Sequence, residues 1–409
     1  MYTEISSCRI CKRSNLLEVL SLGEQHLTGV FPKSVETPVT KGPLGMVWCP
    51  DCGLLQLKQS YSLAEMYGDN YGYRSGLNAS MVVHLTHKIR TLERLVSLSS
   101  ADLVIDIGSN DATSLKAYSG RHRKVGIDPT GKKFASFYTD DIALIPDFFS
   151  AAAFRRKFPN DKAKIITAIA MFYDLEDPVS FVKDIDAVLA DDGVWHFEQS
   201  YMPSMLRTHS YDTICHEHLE FYSFKVVEEM LDQCGMRVVD VQMNAINGGS
   251  FAVTACKKCA PYRSNLPIIQ WLLHQEEDMG LCTPRPYREF EESVFKHRQN
   301  LVRLIESIIG DGKKIFGYGA STKGNVLLQF CGLTSRHLPC IADVNEQKFG
   351  SFTPGTHIPI VSEKEAHAMQ PDYFLVLPWH FKHTILEREK AYLARGGKFI
   401  FPLPEIEIV

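Results

Sequence analysis

What this chain lacks narrows its function before any motif is read. Its most apolar stretches, such as Tyr373 to Trp379, fall far short of the ~20 residues a membrane-spanning helix needs. No large excess of charge of either sign is present. The formal net charge of −4 gives no general attraction to nucleic acid or to an anionic membrane surface. The first residues, Met1-Tyr2-Thr3-Glu4, carry neither a basic nor an apolar leader pattern, so export is not expected. No low-complexity tract or internal repeat is present. Disulfide scaffolding is also disfavoured: the 11 cysteines are an odd number, and four of them fall in spaced pairs, which suits a reducing compartment. A cytoplasmic protein is expected. In bulk the chain is ordinary, with 409 residues, 45% apolar and 22% charged, enough for two or three domains with separate cores.

The spaced pairs are Cys8-Arg9-Ile10-Cys11 and Cys49-Pro50-Asp51-Cys52. Each CxxC turn places two thiolates on one side of a metal, and two such turns close a tetrahedral S₄ site, which favours zinc. Four cysteine ligands leave no open position, so Cys8, Cys11, Cys49 and Cys52 are expected to hold a structural Zn²⁺. The pair Cys256/Cys259 has no second pair nearby and reads as the end of a strand.

Next comes an aromatic, glycine-punctuated loop containing Tyr71 and Tyr73, then a helical apolar pattern from Ala79 to Leu98. An alternation of short strands and helices follows, the pattern of a doubly wound α/β domain. The strands are read at Leu103 to Ile107, Lys124 to Ile127, Ile142 to Ile145, Lys164 to Ile169 and Val194 to Glu198. Ligands in such sheets sit at the carboxyl ends of the strands, where Asp106, Gly108, Asn110, Asp128, Asp147 and Tyr173 fall. The first turn, Gly108-Ser109-Asn110-Asp111-Ala112, has one glycine where the nicotinamide fingerprint wants three. Asp128 suits a ribose diol and Asp147 an adenine amino group, the arrangement expected for S-adenosylmethionine.

A second strand–turn–helix unit reads Gly317-Tyr318-Gly319-Ala320-Ser321-Thr322-Lys323-Gly324-Asn325. Its spacing leaves room for backbone amides and Lys323 to hold phosphate oxygens, and the strand ending at Asp343 continues a second Rossmann-like domain. A domain kept only for packing is the alternative. The stretch Leu266 to Ile309, with Glu276, Glu277, Glu289, Glu291 and Glu292, reads as a solvated helical connector. Between the two glycine turns lies Tyr211-Asp212-Thr213-Ile214-Cys215-His216-Glu217-His218. Two imidazoles flanking a carboxylate supply proton acceptors near a bound cofactor. His196, on a buried strand, reads as structural, and Asn247-Gly248-Gly249-Ser250 as a hairpin turn.

These four motifs, in this order and spanning essentially the whole chain, resemble the three-domain C-methyltransferases that act on nucleotide-linked 4-keto-6-deoxy sugars. The resemblance implies an α/β protein with a small N-terminal zinc-binding module (1–68), a central Rossmann-like S-adenosylmethionine domain (69–260) and a C-terminal Rossmann-like domain (261–409) that binds the sugar nucleotide. It implies that a base removes the C-3 proton beside the C-4 ketone and that the enolate takes the methyl group. His218 matches the base, with His216, Glu217 and nearby tyrosines orienting it or contacting the developing enolate. Tyr71 and Tyr73 match a segment near the methyl donor. Asn247, Tyr318, Gly319, Ala320, Ser321, Lys323, Asn325 and Asp343 are the expected substrate contacts. Two departures stand out: Cys215 replaces an expected tyrosine, and Tyr201 stands where some members carry histidine and could serve as a donor. A rate profile rising near the ordinary histidine pKa is expected, as is a monomer. The rival readings are an NAD-dependent sugar-nucleotide oxidoreductase or epimerase using the second turn, which lacks a well-placed Tyr-x-x-x-Lys pair, and a non-catalytic zinc-ribbon interaction protein.

Overall fold

The structure is a computed structural model describing residues 2–66 and 74–409, so Tyr71 and Tyr73 lie outside the described residues. Its largest sheet has the spatial order Met236–Asn244, Ser250–Lys257, Leu189–Ser200, Ala163–Ile169, Leu103–Ile107, Arg123–Ile127, Ile142–Ile145. The last five of these are parallel. The Ser250–Lys257 strand is reversed between its two neighbours. Strand Leu103–Ile107 is buried at every position, as expected when helices cover both faces, which makes Asp106 within it an exception needing a reason. The chain runs outward to one side of this strand and then to the other, so the switch point lies at its carboxyl end.

Boundaries shift in three places. The helix expected to reach Leu98 is Ala79–Leu95, because Val96 is already extended (φ −112, ψ 120). The helix after the first glycine turn is a single turn, Thr113–Lys116. Strand five begins at Leu189 and absorbs Asp191-Asp192-Gly193 in an irregularity of register before Val194.

The N-terminal region forms an antiparallel sheet from Leu17–His26, Lys41–Trp48 and Leu55–Leu57, closed by a fourth strand, Glu220–Phe221, from far along the chain. That strand directly follows the histidine block and crosses the expected boundary between the first two domains. The C-terminal sheet is ordered Ile360–Ser362, Ile341–Asp343, Ile315–Tyr318, Tyr373–Val376, Lys398–Phe401, Glu407–Ile408, parallel except for the last strand.

The helices Leu266–Asp278 and Arg285–Gly310 are not the solvated connector expected. The longer one buries Tyr287, Phe290, Val294, Leu301 and Ile305 at helical spacing. Glu276 is also buried, accepting hydrogen bonds from the Tyr201 hydroxyl at 2.8 Å and from the amides of Phe224 and Lys225 at 2.6 and 2.9 Å. It thereby satisfies two orphan donors at the start of helix Phe224–Gln233.

Two apolar cores tie the molecule together. One runs from Leu20 and Trp48 of the N-terminal sheet through Tyr211, Ile214 and Cys215 to Phe316 and Phe374 of the C-terminal sheet. The other joins Cys8, Cys49 and Leu54 to Ile105 and Trp195 of the central sheet. The N-terminal module is thus wedged between both larger units, and the histidine block lies at the junction.

Candidate active site

The first glycine turn opens into a cavity of about 530 Å³, within the range of small-molecule sites. Its walls bring together Asp106, Gly108, Asn110, Asp128, Tyr173, Cys215, Glu217, His218, Asn247 and Lys323, residues read separately from six stretches of sequence. Gly108 has φ +70, and a Cβ there would meet Met171 Cγ at 3.2 Å, so only glycine leaves the turn open without backbone strain. Asp128 accepts the Asn110 amide at 2.7 Å and the Thr130 amide at 2.7 Å, which holds the turn against the next strand end. Asp106 accepts from the Thr167 hydroxyl at 2.5 Å. Burial pushes its carboxyl up to about 7.

The histidine block is clamped at both ends. The Tyr211 hydroxyl lies 3.1 Å from His297 Nδ1, and Trp379 Nε1 donates to Asp212 at 2.8 Å, fixing its start to the C-terminal half. At its end, the amides of Leu219 and Glu220 both donate to the Tyr173 carbonyl, at 2.7 and 3.1 Å. His218 Nδ1 sits 2.9 Å from the Thr213 carbonyl. A carbonyl only accepts, so Nδ1 carries the proton and Nε2 keeps its lone pair. The Tyr173 ring packs on the imidazole with centroids 4.2 Å apart. Burial, and then the charge of Lys323, push the His218 pKa down to about 3. The imidazole is therefore neutral throughout the physiological range, and no rate limb is expected at the ordinary histidine pKa. Burial raises the Glu217 carboxyl above its usual range, and its Oε2 is buried without a hydrogen-bond partner.

Several expected site residues are placed elsewhere. His216 turns away from the cavity toward the N-terminal module, with Nδ1 3.4 Å from Thr28 Oγ1 and its ring edge-on to Tyr61. Tyr201 is committed to Glu276. Asp147 is on the surface, accepting from Arg156 at 3.1 Å, and Phe148 and Phe149 line the cavity in its place. The second glycine turn is filled by its own chain. Gly319 has φ +79, and a Cβ there would meet the Pro378 ring at 2.6 Å. The Ala320 amide donates to Asp343 at 2.7 Å, and Ser321 Oγ accepts the Gly324 amide at 3.0 Å. Asn325 donates to the Thr28 carbonyl at 2.8 Å, and the Tyr318 hydroxyl donates to Glu389 at 2.8 Å. Of the expected substrate contacts, only Lys323 and Asn247 reach the cavity.

One cluster escaped the sequence reading. Glu198, on the cavity wall, accepts from His84 Nε2 at 2.6 Å, Lys88 Nζ at 2.5 Å and Asn244 Nδ2 at 2.6 Å. Burial works to raise its carboxyl, but His84 and Lys88 outweigh it and hold the group down to about 2. His84 and Lys88 are four residues apart on one helix face, a spacing that signals a shared partner. His196 is structural as expected, with Nδ1 2.9 Å from Thr254 Oγ1.

The four cysteine sulfurs of the N-terminal module lie within 4.8 Å of one another, with Cys8–Cys52 and Cys11–Cys49 at 3.5 Å. A tetrahedron with Zn–S bonds of about 2.3 Å needs sulfurs about 3.8 Å apart, so the set fits zinc. The cavity also fits its cofactor. Asp106, Asp128 and Glu198 line it with carboxylates suited to a cationic cofactor with a ribose diol, and Ile127, Pro129, Phe148 and Phe149 give it an apolar wall suited to an adenine ring. No described helix is long and apolar enough to cross a membrane.

Comparison with known proteins agrees. Residues 245–404 match the family described as "C-methyltransferase C-terminal domain", and residues 8–67 the family described as "Putative zinc binding domain". The chain is 30% identical over 410 aligned residues to the C-methyltransferase NovU of Streptomyces niveus, covering 99% of this chain and 97% of that one. Solved structures that match part of the chain include YcgJ of Bacillus subtilis (16% identity, 41% of this chain and 95% of that one, TM-score 0.32). Another is the plantazolicin methyltransferase BpumL with S-adenosylhomocysteine (12% identity, 43% and 83%, TM-score 0.34). With its four-cysteine zinc-binding module and its match to NovU over nearly the full length of both chains, this protein belongs to the S-adenosylmethionine-dependent C-methyltransferase family.

Proposed function

We propose that the acceptor is a nucleotide-linked 4-keto-6-deoxyhexose, methylated at C-3 for branched deoxysugar synthesis, with His218 as the general base. The observation that carries this reading is the fixed tautomer of His218: Nδ1 donates to the Thr213 carbonyl, which leaves the Nε2 lone pair for a substrate proton. A carbon next to a ketone is acidic enough for such a base, because the carbonyl takes up the charge. Bound S-adenosylmethionine supplies an electrophilic methyl group. Asp106, Gly108, Asn110 and Asp128 hold the cofactor, and the cluster of Glu198, His84 and Lys88 keeps the wall beside it rigid. Tyr173 packs the imidazole in place. Glu217 Oε2, buried and unpartnered, is available to a sugar hydroxyl. The carboxyl edge of the C-terminal sheet, with Thr322 at the start of helix Thr322–Cys331, borders the same cavity and suits the nucleotide half of the substrate.

The test is incubation with S-adenosylmethionine and the thymidine, guanosine and cytidine diphosphate forms of a 4-keto-6-deoxyhexose. A product 14 mass units heavier, with the new methyl carbon coupled to C-3 by NMR, is expected. Methylation at oxygen, or at no position on any of the three, would sink the substrate reading.

A further inference from the structure

Lys323 was expected to hold phosphate, but the second glycine turn bonds to itself and the lysine extends past it. Lys323 Nζ donates to the Asn247 carbonyl at 2.9 Å, crossing from the C-terminal sheet to the hairpin of the central one. Among the described residues lining the cavity it is the only lysine or arginine. It shares that wall with His218, Glu217 and Cys215. Cys215, standing where a tyrosine was expected, is buried, and burial raises its thiol well above the ordinary range. It is a neutral, weak donor. Burial lowers the pKa of the lysine, and Asp212, whose Oδ2 accepts from Trp379 at 2.8 Å, partly opposes this by favouring the charged form. An ammonium has three donors, and the Asn247 carbonyl uses one.

We propose that Lys323 is a catalytic residue of the central site, donating to the ketone oxygen and stabilising the enolate. This rests on the substrate reading above. His218 Nε2 takes the C-3 proton, and the C–H electron pair moves into the C-3–C-4 bond. The carbonyl π pair moves onto O-4, where the lysine meets the charge. Methyl transfer uses the C-3–C-4 π pair to bond the methyl carbon and breaks the methyl–sulfur bond, its pair staying on sulfur as S-adenosylhomocysteine. The O-4 pair then restores the ketone and the imidazolium gives its proton to water. Nothing is oxidised or reduced. The C-terminal domain therefore contributes directly to the chemistry, and a preorganised donor at a developing oxyanion accounts for a large share of a rate enhancement.

Enolisation can be read without methyl transfer. The full chain, with S-adenosylhomocysteine and a 4-keto-6-deoxyhexose nucleotide in D₂O, should wash out the H-3 proton signal. Lys323→Met should slow the washout by about 10²- to 10³-fold while S-adenosylhomocysteine affinity stays within about twofold, and Lys323→Arg should recover part of the rate. Melting temperature and S-adenosylhomocysteine binding report whether each variant is folded, and Lys323→Gln serves if Lys323→Met is not. A folded variant that exchanges H-3 at the wild-type rate but needs about tenfold more sugar nucleotide for saturation makes Lys323 a phosphate ligand and overturns the inference alone. A wild-type protein that exchanges H-3 in none of the three nucleotide forms overturns the substrate reading, and the inference with it.

Discussion

The two glycine turns look alike in sequence, yet they are used in opposite ways. Each ends a buried parallel strand and opens a helix, and each has an aspartate at the end of the next strand to steady it. At Gly108 the turn faces an open cavity, and the nearest side chain is the flexible Met171. At Gly319 the space is already taken by Pro378, the Ala320 amide is satisfied by Asp343 and the Gly324 amide by Ser321. The difference teaches that a glycine turn marks only a place where the backbone can come close to something. At one turn that space is left for a ligand, and at the other the chain fills it.

The comparison can be broken or sharpened by experiment. The largest effect is expected at the first cleft. His218→Asn keeps a donor for the Thr213 carbonyl but loses the base, so kcat should fall by about 10²- to 10⁴-fold with cofactor binding nearly intact; a variant retaining a tenth of the wild-type kcat would move the base elsewhere. Gly108→Ala should weaken S-adenosylmethionine binding on the order of 100-fold by calorimetry, because a Cβ enters a turn that the cofactor backbone contact needs bare. Gly319→Ala should leave that affinity unchanged and instead lower stability by about 2 kcal/mol in denaturant unfolding, because a proline ring cannot swing aside as a methionine can. Equal effects of the two alanines on cofactor affinity would erase the distinction between the turns.

The smallest effect is one of pH. Burial raises the folded-state pKa of Asp106 to about 7, so the acid is protonated below that value and charged above it. A cationic cofactor prefers the carboxylate. Affinity should therefore rise with pH up to about 7 and then level off, falling by at most about tenfold per unit on the acid side. An affinity flat between pH 5.5 and 8 would mean that Asp106 does not face the cofactor charge.

Much of the fold was legible because it depends on local signals. Strand Leu103–Ile107 is a continuous apolar run broken only by its aspartate, and the paired CxxC turns have one common use. The strand ends that carry Asp106, Asp128 and Tyr173 follow from the alternation of elements. The misplacements have a common cause. Tyr201, His216, Tyr318 and Asn325 sit at the right points along the chain but point to partners 70 to 300 residues away (Glu276, Thr28, Glu389 and again Thr28). Glu276 shows the converse: an acid on a charged helix reads as solvated until the start of another helix is packed over it.

Sequence alone therefore determined the four-cysteine cluster, the first glycine turn and a block that brings two imidazoles and a carboxylate together, since each is a short pattern whose chemistry depends on neighbours a few residues apart. Tertiary structure decided which histidine faces the cleft, because the block is held by the C-terminal half at Tyr211 and Asp212 and by the Tyr173 carbonyl beyond His218. It also decided that Lys323 reaches Asn247 and the cavity lined by His218 instead of remaining at its own turn. Those outcomes depend on how three packed units meet, and no local periodicity encodes the direction of a side chain across such a junction.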